Sequence, residues 1–119
     1  MGIQFNEKDG MFRLDTKSTS YMIKVTDEEK FLGHVYYGPK VSDLDLSYLL
    51  RTDENPYQPS VNNRDRLSFY DSFPVEYSGN GVGDFREESI AVRTSGGHTA
   101  VKLEYRSHNI YPGKKSISG

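Results

Sequence analysis

Between Ile3 and Gly38 the chain carries four short apolar runs, two of them of period two, separated by turn residues, and this pattern most narrows what it can fold into. Ile3 and Phe5 alternate with polar residues, Asp9-Gly10 follows, and Met11-Phe12-Arg13-Leu14 resumes the apolar pattern. Asp-Gly between two such runs predicts a β-hairpin, because both positions tolerate positive φ. Tyr21, Ile23 and Val25 then alternate with Met22 and Lys24. Thr26-Asp27-Glu28-Glu29-Lys30 reads as a turn, and Phe31 to Tyr37 as a further strand rich in aromatic and β-branched residues. Four strands in a row with tight turns predict an antiparallel meander.

The middle of the chain breaks this pattern. Asp43 to Leu50 fits either a period of two or a short helical turn, and periodicity alone does not separate the two at this length. From Arg51 to Arg66 no apolar period survives. So long an irregular segment inside one domain is usually functional or disordered. Leu67 to Phe73 begins as a strand, and Pro74 restricts it to an edge or an end. Gly79-Asn80-Gly81-Val82-Gly83 permits positive φ at three positions. Ile90-Ala91-Val92, the Gly96-Gly97 turn and Ala100 to Tyr105 predict a second hairpin, with Val101, Leu103 and Tyr105 on one face. The expected class is therefore all-β, with residues 1–119 as one domain. A chain of this size buries roughly 65% of its unfolded surface, enough for a modest core.

Several function classes drop out. There is no cysteine, which removes disulfides, thiolate chemistry and cysteine zinc sites. A net charge of −2, with both signs mixed along the chain, leaves no footprint for nucleic acid. No apolar run approaches the roughly 20 residues of a membrane span, and the polar start of the chain lacks the apolar core of a signal peptide. A cytoplasmic, soluble protein without membrane partners is the expectation.

Candidate chemistry is sparse. The glycine run is not followed by the Lys-Ser or Lys-Thr of a phosphate loop, and it lacks the dinucleotide fingerprint, so a backbone turn is expected. His34, His98 and His108 share no metal-ligand spacing, and no metal or cofactor is expected. No nucleophile elbow occurs. Gly83-Asp84-Phe85-Arg86-Glu87 can hold a carboxylate beside a guanidinium, either as a site or as an ion pair fixing a turn. No complete catalytic site is legible.

Four stretches together resemble the N-terminal domain of bacterial α-galactosidases of glycoside hydrolase family 36. They are Phe12-Arg13-Leu14 with Ser20-Tyr21; Leu32 with His34-Val35-Tyr36-Tyr37-Gly38; Glu76-Tyr77 with Gly83-Asp84-Phe85-Arg86; and Leu103, Tyr105-Arg106-Ser107-His108, Ile110-Tyr111 and Gly113-Lys114. The resemblance implies an antiparallel β-sandwich, of which this chain would be the first part of a larger supersandwich domain. It implies that a (β/α)₈ barrel elsewhere in the enzyme supplies both carboxylates for retaining hydrolysis of terminal α-galactosides such as melibiose and raffinose. It implies a homotetramer in which a loop similar to Arg51 to Arg66 reaches a neighbour's active site. Asp53 and Arg66 would then be the substrate-binding residues, a carboxylate accepting from sugar hydroxyls and a guanidinium orienting it. Two readings from other classes stand beside this one: a free-standing carbohydrate-binding β-domain, its aromatics stacking on sugar rings, and a structural assembly domain that pairs through exposed strand edges.

Overall fold

The structure, a computed structural model, describes residues 2–26, 30–42, 46–50, 73–81, 86–114 and 116. Its centre is a four-stranded antiparallel sheet in the order β1-β2-β3-β4, formed by Gly2–Asn6, Met11–Asp15, Thr19–Val25 and Leu32–Pro39. This is the expected meander, each strand paired with its neighbour in sequence. The described residues contain no α-helix; Ser47–Leu49 forms one turn of 3-10 helix, which resolves the ambiguous run ending at Leu50.

Each turn has a local cause. Gly10 sits at φ +61 in the β1–β2 connection, and its carbonyl accepts from Val25 N–H at 2.8 Å. A side chain at that φ would be strained, so glycine there is required. Thr16 closes the β2–β3 turn, its hydroxyl accepting from the Ser18 and Thr19 amides at 3.3 and 3.0 Å. Between β3 and β4, Thr26 and Phe31 exchange two bonds: Thr26 N–H donates to the Phe31 carbonyl at 3.0 Å, and Phe31 N–H donates to Thr26 Oγ1 at 2.9 Å.

Each face of the sheet carries a packed layer over part of its extent. On one, Met11, Met22, Val35 and Leu46 form the buried core, with Tyr36, Val41 and Leu50 packed against it. A β-bulge makes this possible. Met22 pairs with Tyr36 and Ile23 with His34, so Val35 is the extra residue on β4. The bulge turns Val35 and Tyr36 together toward the core and breaks the alternation that period two alone predicts. On the other face, Phe5 and Phe12 stack at 4.4 Å between ring centroids. His108 meets their rings at 4.4 and 4.7 Å. Tyr105 and His108 also share a 2.8 Å hydrogen bond, so this part of the chain is the second layer over β1 and β2.

The second expected hairpin is only partly present. Its turn exists: Gly97 N–H donates to the Thr94 carbonyl at 2.9 Å and Thr94 N–H to the His98 carbonyl at 3.0 Å. No strand ladder follows on either side. The amides of the second arm go elsewhere, Val101 N–H to the Asn80 carbonyl at 2.8 Å and Tyr105 N–H to the Lys30 carbonyl at 2.7 Å. Val101, Leu103 and Tyr105, together with Glu104, line an apolar groove with Phe31, Leu32 and Val75. The apolar residues of the first arm, Ile90 and Val92, are exposed, so that arm gains no burial to hold it as a strand.

Candidate functional site flanking residues 51–66

Asp53 and Arg66 lie outside the described residues, as do Asp84 and Phe85. What the structure describes is the ground from which the 51–66 segment departs and to which the chain returns. On the departing side, Arg13 on β2 holds the chain just past β4. Its guanidinium donates to the carbonyls of Val41 and of Ser42, the latter at 3.0 Å. It also pairs with Asp15 at 2.9 Å. Ser20 hydroxyl donates to the other Asp15 oxygen at 2.6 Å and accepts from Val41 N–H at 3.2 Å. The Ser20 hydrogen bond first, and the Arg13 guanidinium after it, hold the Asp15 carboxyl below the usual range. Leu46 is then buried in the core, and the 3-10 turn ends at Leu50, whose N–H donates to the Ser47 carbonyl at 3.1 Å. Leu50 itself is extended, at φ −64 and ψ 116, and so ends the turn.

The Asp15 arrangement makes a pH prediction. A carboxyl whose pKa is lowered on folding stabilises the fold above its unfolded pKa, and that contribution is lost as pH falls through its folded value. Stability should therefore fall below about pH 4, the region of an ordinary aspartate. In urea titrations across this range the Asp15→Asn variant should show a shallower decline in midpoint than the parent. Parallel declines would refute the assignment.

On the returning side, Phe73 is buried, with its ring 5.9 Å from that of Phe31. Arg86 donates to the Phe73 carbonyl at 2.7 Å, so this arginine fixes backbone. The next residues run along the edge of β4. His34 N–H donates to the Pro74 carbonyl at 2.8 Å, Val75 bridges Gly33, and Glu76 N–H donates to the Leu32 carbonyl at 2.9 Å. Pro74 fits this edge because only its carbonyl is used. Glu76 also ties down its own side chain. Tyr21 hydroxyl donates to Glu76 Oε2. His34 Nδ1 approaches Glu76 Oε1 to 3.3 Å, an ion-pair distance without hydrogen-bond geometry, so Oε1 is buried and accepts no hydrogen bond within the protein. Burial, and then the Glu76 carboxylate, push the Tyr21 hydroxyl well above its ordinary pKa.

The two sides meet at Gly33. A methyl group built there would stand 2.6 Å from Phe73 Cζ and 2.8 Å from Leu50 Cδ1. Phe73 and Leu50 are the described residues on either side of the 51–72 segment. Sequence reasoning missed this meeting point. The signal was present: an isolated glycine inside an otherwise aromatic and β-branched strand marks close approach of another part of the chain.

The remaining candidates serve structure. His34 is half exposed and packs on Tyr21 at 5.7 Å, His98 is exposed at its turn, and His108 joins the aromatic layer. In the glycine run, Gly81 adopts φ +85, and a side chain at Gly79 would collide with the Val101 carbonyl oxygen. These glycines permit chain packing. Among the described residues no group of histidine, aspartate and glutamate is arranged to hold a metal ion, and no helix is long and apolar enough to cross a membrane.

Comparison with known proteins places this geometry. α-Galactosidase AgaA of Geobacillus stearothermophilus is 29% identical over 100% of the chain, which covers 16% of that protein. The galactosidase domain of the α-galactosidase–sucrose kinase AgaSK superposes with a TM-score of 0.84 at 29% identity, over 97% of the chain and 16% of that domain. A variant of AgaA solved in complex with raffinose superposes with a TM-score of 0.75 at 29% identity, over 89% of the chain and 15% of the other. The chain thus spans about a sixth of the length of these relatives, and its all-β fold is that of their β-sandwich N-terminal domain. The profile of the glycosyl hydrolase family 36 N-terminal domain matches residues 30–119, which include the 51–66 segment, both of its flanks and the edge that receives it. The chain therefore belongs to glycosyl hydrolase family 36, within its N-terminal domain.

Proposed function

We propose that this chain is the non-catalytic N-terminal portion of an α-galactosidase acting on terminal α-galactosides such as melibiose and raffinose. In this reading it supplies the 51–66 loop to a neighbouring subunit's active site, in a cytoplasmic homotetramer, with Asp53 and Arg66 binding the sugar. The observation that carries it is the family match across residues 30–119 together with relatives named α-galactosidases along the whole chain. The anchored flanks support it further, because a loop that contributes to a pocket needs a fixed base. A carboxylate at Asp53 suits a sugar, since it accepts hydrogen bonds from hydroxyl groups.

The experiment is Asp53→Ala in the full-length enzyme that carries this chain, assayed on a small α-galactoside. A hydrogen bond to a charged group contributes about 1.5–3 kcal/mol, so kcat/KM should fall by about tenfold to a hundredfold. An unchanged KM and turnover would remove Asp53 from the sugar site. Saturable binding of raffinose by the isolated chain would instead favour a free-standing carbohydrate-binding domain.

A further inference from the structure

We propose that Gly33 is a positioning residue: by leaving room for Leu50 and Phe73 on the same spot of β4, it fixes where the 51–72 segment leaves the sheet and where it returns. The reading of what that segment does for a sugar rests on the function proposed above. The position of its two ends does not.

Three observations converge on Gly33. The first is contact: a Cβ there would stand 2.6 and 2.9 Å from Phe73 Cζ and Cε1 and 2.8 Å from Leu50 Cδ1. Carbon atoms pack favourably at about 3.5–4.0 Å, so both side chains occupy the volume of the absent methyl. The second is conformation. Gly33 is not among the positive-φ glycines, so its backbone suits any residue and only the space above it calls for glycine. The third is how closely what lies there is packed. Phe73 is 1% exposed, and its carbonyl is held by Arg86 at 2.7 Å. Gly33 also bridges Val75, and the flanking bonds from His34 N–H to the Pro74 carbonyl and from Glu76 N–H to the Leu32 carbonyl lock the return to the same stretch of β4. A methyl at Gly33 must therefore displace the Phe73 ring, the Leu50 side chain or both, and these are the side chains that seat the two ends of the segment.

A side chain that contributes to binding from a loop depends on both ends being placed, and a displacement near 1 Å far from the chemistry can cost up to a hundredfold. Gly33 touches no substrate in this scheme; it acts through Leu50 and Phe73.

The test uses the full-length enzyme carrying this chain, with Gly33→Ala and the double variant Gly33→Ala/Phe73→Leu. Leucine at 73 removes the two ring atoms that the methyl would meet. Gly2→Ala is the control, because nothing lies within 4 Å of a Cβ there. Hydrogen exchange followed by mass spectrometry reports the ends directly. In Gly33→Ala, peptides covering 73–81 should exchange about tenfold faster, while those covering β2 keep the parent rate. KM for an α-galactoside should rise about tenfold with kcat within twofold, and the double variant should recover most of both effects. Recovery separates relief of this one contact from general loss of packing, which cutting back a second buried side chain would worsen, and the KM readout separates positioning from stability alone. Unchanged exchange in Gly33→Ala, or no recovery in the double variant, overturns the proposal. Faster exchange with an unchanged KM keeps the role of Gly33 and overturns instead the placement of the loop in the sugar site. If Gly33→Ala does not fold, Leu50→Ala loosens the departing end from the opposite side. It should raise KM in the same direction, and an unchanged KM together with unchanged exchange in Leu50→Ala overturns the role.

Discussion

Phe73→Ala is expected to destabilise the chain by about 3–5 kcal/mol, the range for removing a fully buried phenylalanine. The ring is 1% exposed and stacks near Phe31, which is buried to the same degree. Truncation leaves a cavity between Phe31, Leu50 and Gly33, and it can close only if the edge segment from Pro74 to Glu76 moves. That segment is held to β4 by backbone bonds on both sides of Gly33, so little collapse is available and the cost should sit in the upper part of the range. Equilibrium urea denaturation measures it, with Tyr48→Ala as the reference. Tyr48 is 77% exposed, and its replacement should stay within about 0.5 kcal/mol. A Phe73→Ala cost as small as that of Tyr48→Ala would show that Phe73 is not part of the core.

Met22→Ala should be nearly as costly, about 2–5 kcal/mol. Met22 is 2% exposed on β3, with strands paired on both sides of it. Its partners Met11, Val35 and Leu46 come from β2, from the bulge of β4 and from the segment after β4. A void there is bounded by paired backbone and cannot close by movement of one element. Met22→Leu keeps nearly the same volume and should cost less than about 1.5 kcal/mol. If the two variants destabilised equally, shape at the bulge rather than lost volume would control the site.

The first half of the fold was legible for a physical reason. Asp9-Gly10 and Thr26 to Lys30 are local turn chemistry, and the apolar runs between them show the period of a half-buried strand. The depth of burial was less legible. Alternation picks out Tyr21, Ile23 and Val25, yet Ser20 and Met22 lie deepest, because both faces of β3 are covered and the bulge re-aims β4 toward the Met22 side. A bulge has no period to read. The Ala100 to Tyr105 run shows the limit from the other direction. Its alternation marks Val101, Leu103 and Tyr105, yet Glu104 between them lines the same groove; a ladder needs a partner backbone, and the amides of this run reach Asn80 and Lys30 one at a time. At the candidate site, composition marked the 51–66 segment as a loop, and the family resemblance alone suggested Asp53 and Arg66. Its anchoring by Arg13, Arg86 and Gly33 depends on contacts distant in sequence, which no local pattern encodes.

The junction at Gly33 also bears on how such a domain can change over evolution. Where departure and return are held at one place on a sheet, the chain between them can be lengthened, shortened or rewritten without altering any strand register. The entropic cost of a longer excursion grows slowly, by about 0.6 kcal/mol for each doubling. Insertions and deletions should therefore accumulate between Leu50 and Phe73 among relatives that keep a glycine at position 33, on an unaltered sheet.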